Sequence, residues 1–104
     1  NMASTDIQLD EKIKVKISEP NRWKVILLND DSTPMEFVIS LLVEIFKHTP
    51  ETAHAIMLQV HETGSGIAGV YSFEIAEAKA VEATNQARQA TTNGYPLQIK
   101  LEEE

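Results

Sequence analysis

Residues 23–38 read WKVILLNDDSTPMEFV, an apolar run that stops at three polar side chains and leads directly into a helix start. The apolar run, Val25 to Leu28, has β-branched residues at two of its four positions, which is typical of a buried strand. Thr33 to Glu36 predict a capping box. In this motif the threonine hydroxyl accepts from an unpaired backbone N–H of the first helical turn, and the glutamate side chain accepts from the backbone N–H of the threonine. Residues 29–31, an Asn-Asp-Asp run, are therefore predicted to lie on a short loop between strand and helix, where we expect the functional site.

Composition restricts the class of protein. A chain of 104 residues with 42% apolar content fits one globular domain. A net charge of −7 opposes binding to a nucleic acid backbone, which requires a cationic face. The absence of cysteine excludes disulfides and thiolate metal sites. No apolar stretch approaches the ~18 residues of a membrane span, and no secretory pattern opens the chain, so we expect a cytoplasmic protein that does not bind membranes.

The apolar periodicity predicts the remaining elements. Helical spacing indicates a helix over residues 34–48, and Thr49 caps a second helix that ends at Gly64-Ser65-Gly66. A short strand over 67–71 follows. Ser72 then caps a third helix, in which alanines allow tight packing and Ile75 and Val81 are predicted to supply buried bulk.

The chain closes with a helix terminator and a last strand. Asn93-Gly94 ends the third helix, predicted over 73–92, and residues 95–101 alternate as a strand. The order β-α-α-β-α-β predicts an α+β fold, with a small three-stranded antiparallel sheet packed by three helices. Residues 1–21 are predicted to be a flexible extension of a core domain at 22–104, although Ile13 to Ile17 alternate as an edge strand would.

The candidate chemistry combines the acceptor loop with His61. Such a polar run before a helix is usually turn chemistry, but here it is accompanied by a histidine and by the flexible side chains of Met35 and Met57. Carboxylates, an amide oxygen and an imidazole beside an apolar recess suit a primary ammonium on an apolar stem. A peptide α-amine fits this description, because its pKa of ~8 leaves it largely charged at neutral pH.

Two other interpretations stay open on the residues alone. Asp30, Asp31 and His61 could bind a divalent cation in a metal-dependent hydrolase, although His54 and His61 are too far apart for a His-x-x-x-His motif. A ribosome-stalk-like interaction module would explain the order of elements without a use for the acceptor loop. No nucleophile elbow, phosphate loop or zinc motif is present, which argues against an enzyme.

Several motifs together resemble the ClpS adaptor family, over residues 22 to about 101. They are Trp23 to Val38, Met57 to His61, Gly69 to Tyr71, Glu74 to Lys79, and Pro96-Leu97. The resemblance implies a fold like the C-terminal domain of the ribosomal stalk protein. It also implies an N-degron adaptor without catalytic activity, cofactor or metal, which delivers substrates to the ClpA-type AAA+ unfoldase of the ClpAP protease.

The resemblance assigns roles to individual residues. Substrates would begin with Leu, Phe, Tyr or Trp, and Met35 would exclude β-branched side chains. Glu74 and Lys79 would dock on the N-domain of the unfoldase. The unfoldase would engage the N-terminal extension when the substrate is handed over. The adaptor would be a monomer. The substrate α-amine would be bound by Asn29, Asp30, Asp31 and His61, and the hydrophobic pocket would be lined by Thr33, Met35, Val38, Met57, Val60 and Leu97.

Overall fold

A computed structural model describes residues 21–104, and its elements follow the predicted order β-α-α-β-α-β. This confirms the predicted fold class. The possible strand at residues 13–17 lies outside the described residues, and the domain boundary at residue 21 stays a prediction. The elements of the described part are β1 Trp23–Leu28, α1 Met35–Glu44, α2 Pro50–Thr63, β2 Ser65–Tyr71, α3 Phe73–Gln89 and β3 Gln98–Glu103.

The sheet has the order β2-β1-β3, with both outer strands antiparallel to the central one. Leu28, the last residue of β1, pairs with Ser65 at the start of β2 and with Gln98 at the start of β3. The loop after β1 therefore leaves the sheet between the end of α2 and the segment that leads into β3. This convergence positions the candidate site.

The core lies between the sheet and the helices. Val25 and Leu27 of β1 are fully buried, and they pack with apolar side chains of α1 and α2 and with buried alanines of α3. The predicted burial of Ile75 and Val81 is wrong, because their side chains are 51% and 54% exposed. The buried face of α3 follows the alanines at 76, 83 and 87, and Ile75 and Val81 lie off that face of the helix.

Element bounds differ from prediction mainly at the ends. Helix α1 ends at Glu44 rather than residue 48, and Lys47 has a positive φ of 63° that breaks the helical path. Helix α3 ends at Gln89, and β3 begins only at Gln98. The predicted cap of α2 is confirmed, because the Thr49 side chain accepts from the Thr52 amide at 3.2 Å. Across residues 21–104, no helix has the length and apolar character needed to cross a membrane.

Candidate functional site

The loop after β1 is attached to the helix that carries His61. The backbone N–H of Asn29 donates to the Gly64 carbonyl at 2.9 Å, and the backbone N–H of Gly64 donates to the Val60 carbonyl at 2.9 Å. Gly64 terminates α2 with a φ of 95°, a left-handed conformation that glycine adopts without a Cβ clash. Because His61 lies in the last turn of α2, these bonds bring it to the same end of the sheet as Asn29.

Asp30 organises the loop from within. Its Oδ1 accepts from the amides of Ser32 at 2.8 Å and Thr33 at 2.7 Å, and its Oδ2 accepts from the Thr33 hydroxyl at 2.8 Å. The predicted capping box is therefore wrong. Pro34 is the N-cap and makes no side-chain cap bond, because the Thr33 hydroxyl is bound to the carboxylate three residues earlier.

The carboxyl of Asp30 has a pKa below its ordinary value. Partial burial acts to raise that pKa, but the hydrogen bonds from Thr33 and Ser32, helped by the positive charge of Arg88, outweigh it. Donors bonded to the charged form favour ionisation, so this carboxylate stays charged and keeps the loop in shape.

The lowered pKa of Asp30 predicts an acid-dependent contribution to stability. A carboxyl whose pKa is lower in the folded than in the unfolded chain stabilises the fold above the unfolded value, about 3.9. That contribution disappears as the pH falls through the folded value. We expect Asp30→Ala to lower the unfolding free energy by about 1 kcal/mol at neutral pH, because water partly replaces the lost bonds.

Urea unfolding of wild type and Asp30→Ala between pH 7 and pH 3 would measure this effect. The difference between the two chains should shrink toward the acid end. Asp31→Ala is the matched control, because the exposed side chain of Asp31 belongs to the same loop. A difference between wild type and Asp30→Ala that stays constant over the whole range would contradict the assignment.

The other three predicted amine-binding residues face solvent. Asn29 and Asp31 are exposed on the loop, and His61 is exposed at the end of α2. Each offers an acceptor: an amide oxygen, a carboxylate, and the unprotonated ring nitrogen of a neutral imidazole. Asp30 differs from them, because its oxygens already accept three bonds from the loop.

Four of the six predicted pocket residues are buried in the core. Val38, Met57, Val60 and Leu97 belong to one cluster of core side chains, and each is at most 3% exposed. Met35 is only partly buried against this cluster, and Thr33 is also half-buried. Leu97, which precedes the partner of Leu28, and Val60, which precedes His61, bring the core to the end of the sheet where the acceptors lie, and Met35 is partly exposed.

Arg88 holds the segment that carries Leu97, a role that sequence reasoning missed. Its guanidinium donates through Nη1 to the Tyr95 carbonyl and through Nη2 to the Leu97 carbonyl, the latter at 3.0 Å. The Tyr95 ring packs edge-on against Phe37 of α1, with ring centroids 5.0 Å apart. The available signal was an arginine in the last turn of a helix, where a cation can bind backbone carbonyls.

Glu74 and Lys79, the predicted docking residues, lie toward the start of α3. Glu74 is exposed in the first helical turn. Lys79 is half-buried: its Nζ donates to the Ile45 carbonyl at 2.7 Å and lies 5.3 Å from the centroid of the Tyr71 ring. Because Tyr71 pairs with Trp23 at the start of β1, Lys79 lies near the end of the sheet opposite the acceptor loop.

The geometry of a metal centre is not found in the part of the chain that the structure describes. Within residues 21–104, no three His, Asp or Glu side chains are grouped so that they could hold a metal ion. Asp30, Asp31 and His61 therefore do not form the cluster that the hydrolase interpretation requires.

The described part of the chain is a small α+β domain with exposed polar acceptors on the loop after β1 and at the end of α2. The family model described as "ATP-dependent Clp protease adaptor protein ClpS" matches residues 18–100. The chain belongs to the ClpS family, which confirms the resemblance seen in its motifs. This is a family of protease adaptors and not of enzymes.

Relatives with this name are similar over most of their length. The ATP-dependent Clp protease adapter protein ClpS of Burkholderia mallei is 47% identical over 98 residues, which cover 94% of this chain and 91% of the relative. The protein of the same name from Burkholderia thailandensis is 48% identical over 93 residues, 89% and 86% of the two chains. A solved structure, Agrobacterium tumefaciens ClpS2 bound to L-phenylalaninamide, aligns with a TM-score of 0.77 and 41% identity, over 83% of this chain and 100% of that one.

Proposed function

We propose that this adaptor binds the first residue of N-degron substrates, with the α-amine on the acceptor cluster and the side chain in the apolar cluster. One observation carries the proposal: exposed Asn29, Asp31 and His61 share an end of the sheet with the buried group around Leu97. Phenylalaninamide, the ligand of the Agrobacterium relative, has the same two parts, a free α-amine and an apolar ring.

The acceptors select a free amine by charge and by number of donors. A protonated α-amine has three N–H groups, whereas an internal peptide amide has one and no charge. Asn29, Asp31 and His61 supply one acceptor each. Asp30 acts beside them, with its negative charge and with the loop geometry that its three internal bonds maintain.

The apolar cluster selects the side chain. Leu, Phe, Tyr and Trp would enter among Met35, Val38, Met57, Val60 and Leu97, with Thr33 at the edge, and Met35 would exclude β-branched residues. Burial of such a side chain contributes roughly 1.5–3 kcal/mol, and a charged hydrogen bond contributes a similar amount. After the cost of ordering the peptide, we expect dissociation constants in the low micromolar range or somewhat below.

A pair of peptides tests this proposal. We expect a fluorescent peptide that begins with free phenylalanine to bind about 100-fold more tightly than its N-acetylated twin, because acetylation removes the charge and two donors. Fluorescence anisotropy measures both affinities, and the same peptide with valine first serves as the side-chain control. Equal affinity for the free and acetylated peptides would refute amine recognition.

We further propose that the adaptor delivers bound substrates to the ClpA-type AAA+ unfoldase in the cytoplasm, and that it acts as a monomer. Docking would use Glu74 and Lys79, and the unfoldase would engage the N-terminal extension. The separation of the two sites supports this division of labour, since Lys79 lies near the Tyr71 end of the sheet and the acceptor loop follows the other end of β1. A substrate and an unfoldase could then be bound together.

A further inference from the structure

We propose that Arg88 is a positioning residue for substrate recognition, because its guanidinium fixes the pocket wall at Leu97, whose neighbour Gln98 pairs with the last residue before the acceptor loop. The inference rests on the proposed function and deepens it. It assigns to one side chain of α3 the alignment of the two parts of the site, the apolar cluster and the amine acceptors.

The segment between α3 and β3 is folded around Arg88. The Tyr95 amide donates to the Ala87 carbonyl at 2.8 Å, which turns the chain back across the last turn of the helix. Gly94 has a φ of 72°, and a Cβ there would lie 2.7 Å from the carbonyl oxygen of Arg88, so the backbone passes closer than a larger residue allows. The Arg88 side chain also bonds this segment, because its guanidinium donates to the Tyr95 and Leu97 carbonyls.

The Tyr95 and Leu97 carbonyls are bonded by two different nitrogens of the Arg88 guanidinium. Arginine presents several N–H groups in a planar fork and can bond two acceptors at once, whereas a lysine ammonium acts as a point charge. Residues 90–97 have no helix or strand, so each anchored carbonyl limits how far this segment can move. Leu97 is buried among the predicted pocket residues, and the next residue, Gln98, pairs with Leu28. Movement of Leu97 would therefore shift the pocket wall relative to the acceptor loop.

Two substitutions test the positioning of Leu97 by Arg88. Arg88→Lys keeps the charge but cannot bond both carbonyls as the fork does, so we expect the preference between Phe- and Leu-starting peptides to change about threefold or more. Its preference for free over acetylated amine should stay close to that of wild type. Arg88→Met loses both bonds, and we expect about tenfold weaker binding, with a larger change in the preference between Phe- and Leu-starting peptides than Arg88→Lys shows.

Arg22→Met is the matched control. Arg22 also donates to a backbone carbonyl, that of Val70 at 2.9 Å, but it lies just before the start of β1, away from the acceptor loop. This variant should retain both affinity ratios. A purely structural role for Arg88 would lower all affinities in proportion to lost thermal stability and leave the ratios unchanged, which would overturn the inference.

The outcomes for the two proposals are distinguishable. If wild type does not prefer the free amine, the proposed function fails and this inference falls with it. If wild type prefers the free amine and both Arg88 variants keep its affinity ratios, only the inference is overturned. Should Arg88→Met fail to unfold cooperatively, Arg88→Lys decides, because an altered side-chain preference in a folded chain supports the inference and an unaltered one rejects it.

Discussion

Alanine at Asp31 or at His61 should weaken binding of a Phe-starting peptide by at least about tenfold, with little change in the free energy of unfolding. Both side chains are exposed and lie outside the apolar core, so their removal opens no cavity. Each alanine variant would lose one hydrogen bond to the charged amine of the peptide, a contact worth roughly 1.5–3 kcal/mol. Anisotropy measures the affinity, and urea unfolding measures the stability.

Controls separate recognition from folding. Glu36→Ala removes another exposed carboxylate close to the loop, in the first turn of α1, and should bind as wild type does. Leu42→Ala sets the scale for core damage, because Leu42 is fully buried and such truncations remove about 2–5 kcal/mol. If Asp31→Ala lost as much stability as Leu42→Ala, its weaker binding could not be attributed to the amine contact.

Coupling to the ligand sharpens the same test. Acetylation and Asp31→Ala should remove the same interaction, so their combined effect should be smaller than the sum of the separate effects. Full additivity would mean that Asp31 and the amine do not interact. The cycle therefore tests the contact itself rather than a general loss of affinity.

The order of elements was predictable because their signals are local. Four consecutive apolar residues before a polar run indicated β1, and Thr49 followed by Pro50 indicated the start of α2. Residues 29–31 were recognisable as candidate acceptors because they stand where a buried strand ends. The structure places them beside the end of α2, which the sequence order could not show.

Where prediction failed, two local patterns competed. The Thr33 hydroxyl could cap the helix or donate to Asp30, and both partners lie within three residues, so only the folded loop decides. Helix α3 offered a similar choice, because a helix rich in alanine has a weak hydrophobic pattern. Ile75 and Val81 are larger than the alanines at 76 and 83, yet the close approach of α3 to the sheet favours the small side chains.

The bonding partners of two cations could not be predicted from the sequence. Arg88 bonds carbonyls seven and nine residues away, and Lys79 bonds the Ile45 carbonyl 34 residues away. A backbone carbonyl is present at every residue, so no residue type marks such a partner in advance. Contacts of this kind become visible only when the chain is folded.

The position of Lys79 determines how the docking proposal can be tested. Lys79→Met would remove the donor to Ile45 and the cation beside the Tyr71 ring, so it should lower stability as well as any docking. Loss of delivery by that variant would have two explanations. Glu74 is the cleaner probe, because it is exposed in the first turn of α3 and lies outside the apolar core.

Glu74→Lys should therefore reduce delivery at least about tenfold while peptide affinity and unfolding free energy stay near wild type, since charge reversal at an interface commonly costs several kcal/mol. Degradation of a Phe-starting reporter by the unfoldase and its protease measures delivery, and anisotropy measures peptide affinity. Glu82→Lys is the matched control, an exposed charge reversal two turns further along α3. Delivery by Glu74→Lys at the wild-type rate would exclude Glu74 from the docking surface, whereas a parallel loss of peptide binding would contradict the separation of the two sites.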